Sequence, residues 1–122
     1  SIKNHYAPSA DYTIYKGDEV KVAEKIIELA NEKADEGKIT GIITADQHLH
    51  MYQGRLNKSI KVVSLGDLEK TETVANHLFK ALRDFDKVDT EFIFGEAFSE
   101  KNVGQAIMNR LTKAAGYNII DV

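Results

Sequence analysis

The chain has no cysteine, no tryptophan and a single proline among its 122 residues. Without cysteine there is no disulfide, no thiolate metal site and no cysteine nucleophile. The core must therefore be held by packing alone, and 43% apolar side chains are enough for one domain. No apolar run approaches the roughly 20 residues of a membrane span, so no membrane partner is expected. No basic stretch followed by an apolar one opens the chain, so no secretory leader is expected either. Positive charge is also short: 16 basic against 19 acidic side chains give a formal −3. Gripping nucleic acid through its phosphates needs a concentrated basic face, so direct nucleic-acid binding is not expected. Both glycine-rich phosphate loops, the dinucleotide type and the Walker type, are missing.

What is present alternates between two periods. Asp11 to Lys16 alternates polar and apolar residues and is rich in β-formers, which predicts a strand. Val20, Ala23, Ile26, Ile27, Ala30 and Ala34 recur at helical spacing between Asp18 and Gly37. Lys38 to Thr44 reads as a strand buried on both faces. Ala45 to Ser59 is the least regular stretch, a loop with one helical turn. Ile60 to Leu65 predicts a strand, and Thr73 to Phe85 a helix with Val74, Ala75, Leu78, Phe79, Leu82 and Phe85 on one stripe. Thr90 to Phe94 predicts a strand closed by Gly95. Asn102 and Gln105 form a candidate capping box for a last helix whose stripe is Val103, Ile107, Leu111 and Ala114. Asn118 to Val122 suggests a final short strand. Alternating strands and helices imply an α/β domain, three-layered and Rossmann-like, with a mostly parallel sheet of four to five strands flanked by helices. Function in such sheets usually sits at the carboxyl ends of the strands.

Several residues invite chemistry, and each has a plainer reading. Leu65-Gly66-Asp67 could hold an anion on backbone amides, but an ordinary strand-to-helix turn is the better reading. His48-Leu49-His50 suggests a metal, yet no spacing nominates a third ligand, so a solvated loop is expected. His77 sits at the edge of an apolar stripe and reads as a boundary residue. Asp11, Asp18, Asp46, Asp67 and Glu96 could all lie near strand ends; solvated loop caps are the default, with acid–base work or magnesium binding the alternative. Phe92, Phe94 and Phe98 read as core. No Asp-Asp pair with a Thr/Lys set marks a phospho-receiver. Residues 1–10 carry no period and contain Pro8, so they read as an extended arm; His5 and Tyr6 on that arm have no element to pack into.

The opening run Ile2-Lys-Asn-His-Tyr-Ala-Pro-Ser-Ala10 resembles the interdomain linker of the two-domain threonylcarbamoyl-AMP synthases, through its His-Tyr-Ala-Pro core, Ala10 and Lys3. Val62-Val-Ser-Leu-Gly66 resembles that family's third strand in its C-terminal domain. Ala75-Asn-His-Leu-Phe-Lys-Ala-Leu-Arg-Asp-Phe-Asp86 is similar to its Leu-Phe-x-Ala-Leu-Arg helix, with Phe85 in place of the usual leucine. Gly104-Gln-Ala-Ile-Met-Asn-Arg-Leu111 resembles its closing helix. The family's Ser-Pro-Gly segment before the linker is not present.

The resemblance implies a linker remnant at 1–10 and a Rossmann-like C-terminal domain at 11–122, with a covalently linked YrdC-like catalytic domain missing. The family makes threonylcarbamoyl-AMP from threonine, bicarbonate and ATP, for threonylcarbamoyladenosine modification of tRNA in the cytoplasm. ATP and magnesium are expected for the catalytic domain and no cofactor for this fragment. No catalytic residue carries over. Lys3, His5, Tyr6 and Pro8 are implied to contact the catalytic domain as a lid. The alternative is a free-standing small-molecule-binding or protein-interaction domain.

Overall fold

The computed structural model describes residues 8–122, apart from the side chains at positions 71, 102 and 103. Its elements are β1 (Asp11–Lys16), α1 (Glu19–Asp35), β2 (Thr40–Thr44), β3 (Lys61–Ser64), α2 (Val74–Lys87), β4 (Phe92–Glu96), α3 (Glu100–Val103), α4 (Gln105–Ala114) and β5 (Ile119–Asp121). A 3₁₀ helix, Asp46–Met51, lies in the β2–β3 connection, and a shorter one, Thr71–Thr73, precedes α2. The five strands form one sheet in the order β3-β2-β4-β1-β5, and every pairing is parallel. This is the expected α/β architecture.

The local reasons are legible. Asp18 caps α1, its carboxylate accepting from the amides of Val20 and Lys21. Beyond α1, Gly37 and Lys38 donate back to the carbonyls of Ala34 and Lys33, which closes the helix. β2 is buried along its whole length, as a central strand of a covered parallel sheet must be. Two apolar layers sandwich the sheet. On one face Val22, Ala23, Ile26 and Ala30 of α1 pack on Tyr15, Ile42 and Phe94, together with Tyr52 and Ile60 of the β2–β3 connection. On the other, Leu78, Leu82 and Phe85 of α2 and Leu111 of α4 pack on Ile14, Ile43 and Ile93. Phe94 and Phe98 are buried as expected, and Phe92 half-buried.

Four expectations change. Val20 is not on the buried stripe of α1 but 54% exposed, the stripe beginning at Val22 and Ala23. Gly95 does not close β4; the strand runs on to Glu96. A Cβ at Gly95 would come within 2.8 Å of the Tyr12 ring, so glycine is there for close packing, not for a turn. The last helix is two helices. Ser99 caps α3 by accepting from the Lys101 amide, and Gly104 (φ 85°) separates it from α4, which has no side-chain cap. Asn102 therefore lies within α3 and is not the start of α4. Phe79 and Ile107 are half-buried rather than core, with Arg110 lying over the Phe79 ring at 5.8 Å.

Candidate functional site

The carboxyl ends of β2 and β4 meet in the middle of the sheet. The register pairs Ile43 with Gly95, so Thr44 and Glu96 are neighbours one position further on. The 3₁₀ helix after β2 then turns the chain back over those ends, and Tyr52 follows it into the core at 2% exposure. Glu96 is 3% exposed. Its Oε2 accepts from the Thr44 hydroxyl at 2.5 Å and the Tyr52 hydroxyl at 2.6 Å, and its Oε1 meets Nδ1 of His48 at 2.5 Å. Nε2 of His48 faces Glu19, at the start of α1, at 3.0 Å.

The end of β2 and the connection after it thus converge on one buried carboxylate at the end of β4, and Glu19, after β1, closes on His48. A carboxylate out of water needs its lone pairs satisfied, and three donors do so here. The hydrogen bond to Glu96 raises the pKa of His48 above its ordinary 6.5, against the opposing effect of burial; both glutamate charges add to the rise. Burial, then the Glu96 charge, pushes the Tyr52 phenol well up. His48 is therefore not a solvated loop residue, and Glu96 is not a loop cap. Both histidine nitrogens are engaged, so the arrangement clasps the β2–β3 connection to the sheet rather than presenting a free base. Among the described residues, no group of three His, Cys, Asp or Glu side chains is placed to hold a metal.

A second polar cluster lies beside it, at the ends of β2 and β3. Ser64 donates to Asp46 at 2.6 Å, and Gln47 donates to Asp67 at 2.6 Å while accepting from the Leu68 amide. Asp67 also accepts from the Glu69 amide, and that bond, with Gln47, holds its carboxyl below the usual range. His77 reaches Leu65 O through Nδ1 at 2.8 Å, the boundary role expected of it. The Leu65 and Gly66 amides are taken by the Thr44 carbonyl and the Ser64 hydroxyl, so Leu65-Gly66-Asp67 is an ordinary turn. Asp18 is the α1 cap, and Asp11 opens β1 at the opposite end of the sheet.

At the carboxyl ends of β1 and β4 the chain departs to opposite faces, through α1 and through α3–α4. A crevice of about 460 Å³ lies there, lined among others by Lys16, Phe98, Met108, Asn109 and Thr112. Of the arm, Lys3, His5 and Tyr6 lie outside the described residues. Pro8 is half-buried, the Ser9 amide donates to the Asp86 carboxylate at 3.0 Å, and the Asp11 amide to Glu91 O at 2.9 Å.

These features define a parallel α/β domain with a closed carboxylate clasp and an arm entering at the amino end of β1. The family model for the C-terminal domain of threonylcarbamoyl-AMP synthase matches residues 1–116, and the chain belongs to that family. The threonylcarbamoyl-AMP synthase of Pyrococcus abyssi is 41% identical over 118 residues, 97% of this chain but 32% of that protein. That of Bacillus subtilis is 39% identical, over 95% of this chain and 31% of its own length. The chain thus spans about a third of the relatives it matches. Among solved structures, Pyrococcus abyssi Sua5 complexed with L-threonine is similar at a TM-score of 0.74 and 39% identity, over 95% of this chain and 31% of that one. The C-terminal Sua5 domain from Pyrococcus horikoshii is similar at 0.68 and 34% identity, covering 95% of this chain and all of that one.

Proposed function

We propose that this chain is the accessory, regulatory domain of a threonylcarbamoyl-AMP synthase, with residues 1–10 as the interdomain strap and 11–122 as the domain that anchors it. The observation that carries this is the match to the family over residues 1–116 by a chain one third the length of its relatives. In this reading the longer protein is cytoplasmic and joins threonine, bicarbonate and ATP, with magnesium, in a linked YrdC-like catalytic domain. Its product serves threonylcarbamoyladenosine modification of tRNA. The solved Pyrococcus abyssi relative with L-threonine supports the amino-acid substrate.

Lys3, His5, Tyr6 and Pro8 contact the catalytic domain and close over its cleft, excluding water and gating product release. The Asp86 carboxylate and the Glu91 carbonyl supply a fixed base for such a strap, through Ser9 and Asp11. A variant of the Pyrococcus abyssi relative with a consecutive His and Tyr replaced by alanine has been solved; this chain has a His-Tyr pair at His5-Tyr6. In the full-length protein, Tyr6→Ala lowers the synthesis rate while leaving the thermal midpoint of this domain nearly unchanged. A lowered midpoint with an intact rate would make Tyr6 a structural residue and end the lid reading. The second reading, a free-standing small-molecule-binding domain, is favoured only by the crevice beside Lys16 and Asn109.

A further inference from the structure

The two edges of the sheet are built differently. The β3 edge carries Lys61, with Lys58 just before it, and its valines are half-buried. Lysine on an edge strand discourages pairing with another chain. The β5 edge has no lysine of its own; it carries one charged residue, Asp121, and the charged Lys21, Glu24, Lys25 and Glu28 of α1 lie beside Val122. Ile119 and Ile120 are 40% and 42% exposed, Val122 38% and Tyr117 72%. Val20, 54% exposed, lines a shallow cleft with Val122. Five of the eight most exposed large apolar residues described thus fall on one edge, and such a concentration marks a surface that is covered in use.

The backbone on this edge is also open. Ile14 N donates to Asn118 O, and Val122 N donates to Lys16 O. In a parallel pair this register turns the N–H groups of Ile119 and Asp121 away from β1, toward the side where no strand lies. The edge therefore offers apolar side chains on both faces and two free donors between them.

The point where the chain enters says what covers it. The amino end of β1 is fixed on its β4 side, Ser9 to Asp86 and Asp11 to Glu91, and β5 begins on its other side level with Ile14, where the Asn118 side-chain amide donates to the Thr13 hydroxyl at 2.6 Å. Tyr117 and the arm therefore share one end of two neighbouring strands. Two thirds of the relatives' length lies outside the match. Seven residues span at most about 25 Å, so the preceding part of a longer chain can reach this edge.

We propose that Tyr117 to Val122, with Val20, is the surface on which the preceding domain of the full-length protein docks. The inference rests on the reading of the chain as a C-terminal accessory domain. It is tested by hydrogen exchange, read by mass spectrometry, on the isolated 122-residue chain and on the full-length protein. The related Pyrococcus horikoshii domain, solved as a separate chain, shows that such a domain stands alone. Amides of residues 117–122 should exchange at least about tenfold more slowly in the full-length protein, with residues 61–64 unchanged. Ile120→Lys should abolish that slowing without altering the thermal midpoint of the isolated chain, since Ile120 is already 42% exposed. Equal exchange in both proteins, or slowing along β3 or α2 instead, would overturn the proposal. So would a concentration-dependent dimer of the isolated chain, lost in Ile120→Lys, without slowing in the full-length protein. If exchange is equal while the full-length protein makes threonylcarbamoyl-AMP, the docking surface is wrong and the functional reading stands.

Discussion

Replacing Glu96 by Gln tests the clasp most directly. The side chain keeps its shape, so little packing is lost. One amide oxygen can still accept from Thr44 and Tyr52, but the amino group then faces Nδ1 of His48, which Glu96 meets at 2.5 Å. That contact joins a buried carboxylate to a ring whose side chain is 15% exposed. Hydrogen bonds to charged groups contribute roughly 1.5–3 kcal/mol. Breaking a buried ion pair outright costs roughly 3–5 kcal/mol. With two of three donors retained, a loss of about 2–3 kcal/mol is expected. The pH dependence has a definite sign. The folded-state pKa of His48 is raised above 6.5, so its contribution is complete below that value and fades as pH rises through the folded one. The penalty of the substitution should therefore be largest near about pH 6 and smaller near about pH 9. Urea titrations at both pH values, with unchanged slope, measure it, and NMR titration of His48 should show its pKa falling. A loss below about half a kcal/mol at both pH values, or an equal loss at both, would refute the reasoning.

Two further predictions concern the core. Leu111→Ala removes a fully buried side chain beneath α4 and should cost about 2–5 kcal/mol in chemical denaturation; a loss below about half a kcal/mol would show that α4 does not anchor there. The Tyr12 hydroxyl is buried without a hydrogen-bond partner among the described residues, and burial pushes its pKa well up. Tyr12→Phe should therefore be neutral or stabilising by up to about 1 kcal/mol in the same assay, whereas a clear destabilisation would mean that the hydroxyl is satisfied.

Most of the fold was legible because its signals are local. The stripes at Ala23, Ile26, Ala30 and at Leu78, Leu82, Phe85, and the continuous apolar run at Ile42-Ile43, each declare their element within a few residues. The clasp was not legible, because its members lie 48 and 44 residues apart in sequence, and no period links them. Gly95 hid it further: glycine after Phe94 looks like a strand end, whereas it sits against the Tyr12 ring. One signal was available. Thr44 and Glu96 are polar residues ending two apolar strands, and His48 and Tyr52 follow Thr44 at successive steps of four, the spacing of one face of a helical turn. The split of the last helix was missed because Asn102 and Gln105 satisfy a capping-box pattern that Ser99 and Gly104 override. Lys3, His5 and Tyr6 follow no period and lie outside the described residues, so the reading of the arm rests on likeness to the family alone.

The strand order has a consequence for how the domain assembles. β1, the first strand of the chain, is flanked by β4 and β5, the last two. Its partners all lie beyond residue 90. As the chain emerges from its amino end, β2 and β3 can pair early, but β1 has no neighbour until nearly the whole sequence is made. Closing such long loops is slow, because their entropy is spent before the contacts reward it. A chain cut before Phe92 would keep β2 and β3 adjacent and leave β1 with nothing on either side. The sheet therefore completes in a late step, and the base of the arm becomes fixed only once Asp86, Glu91 and β4 have been made.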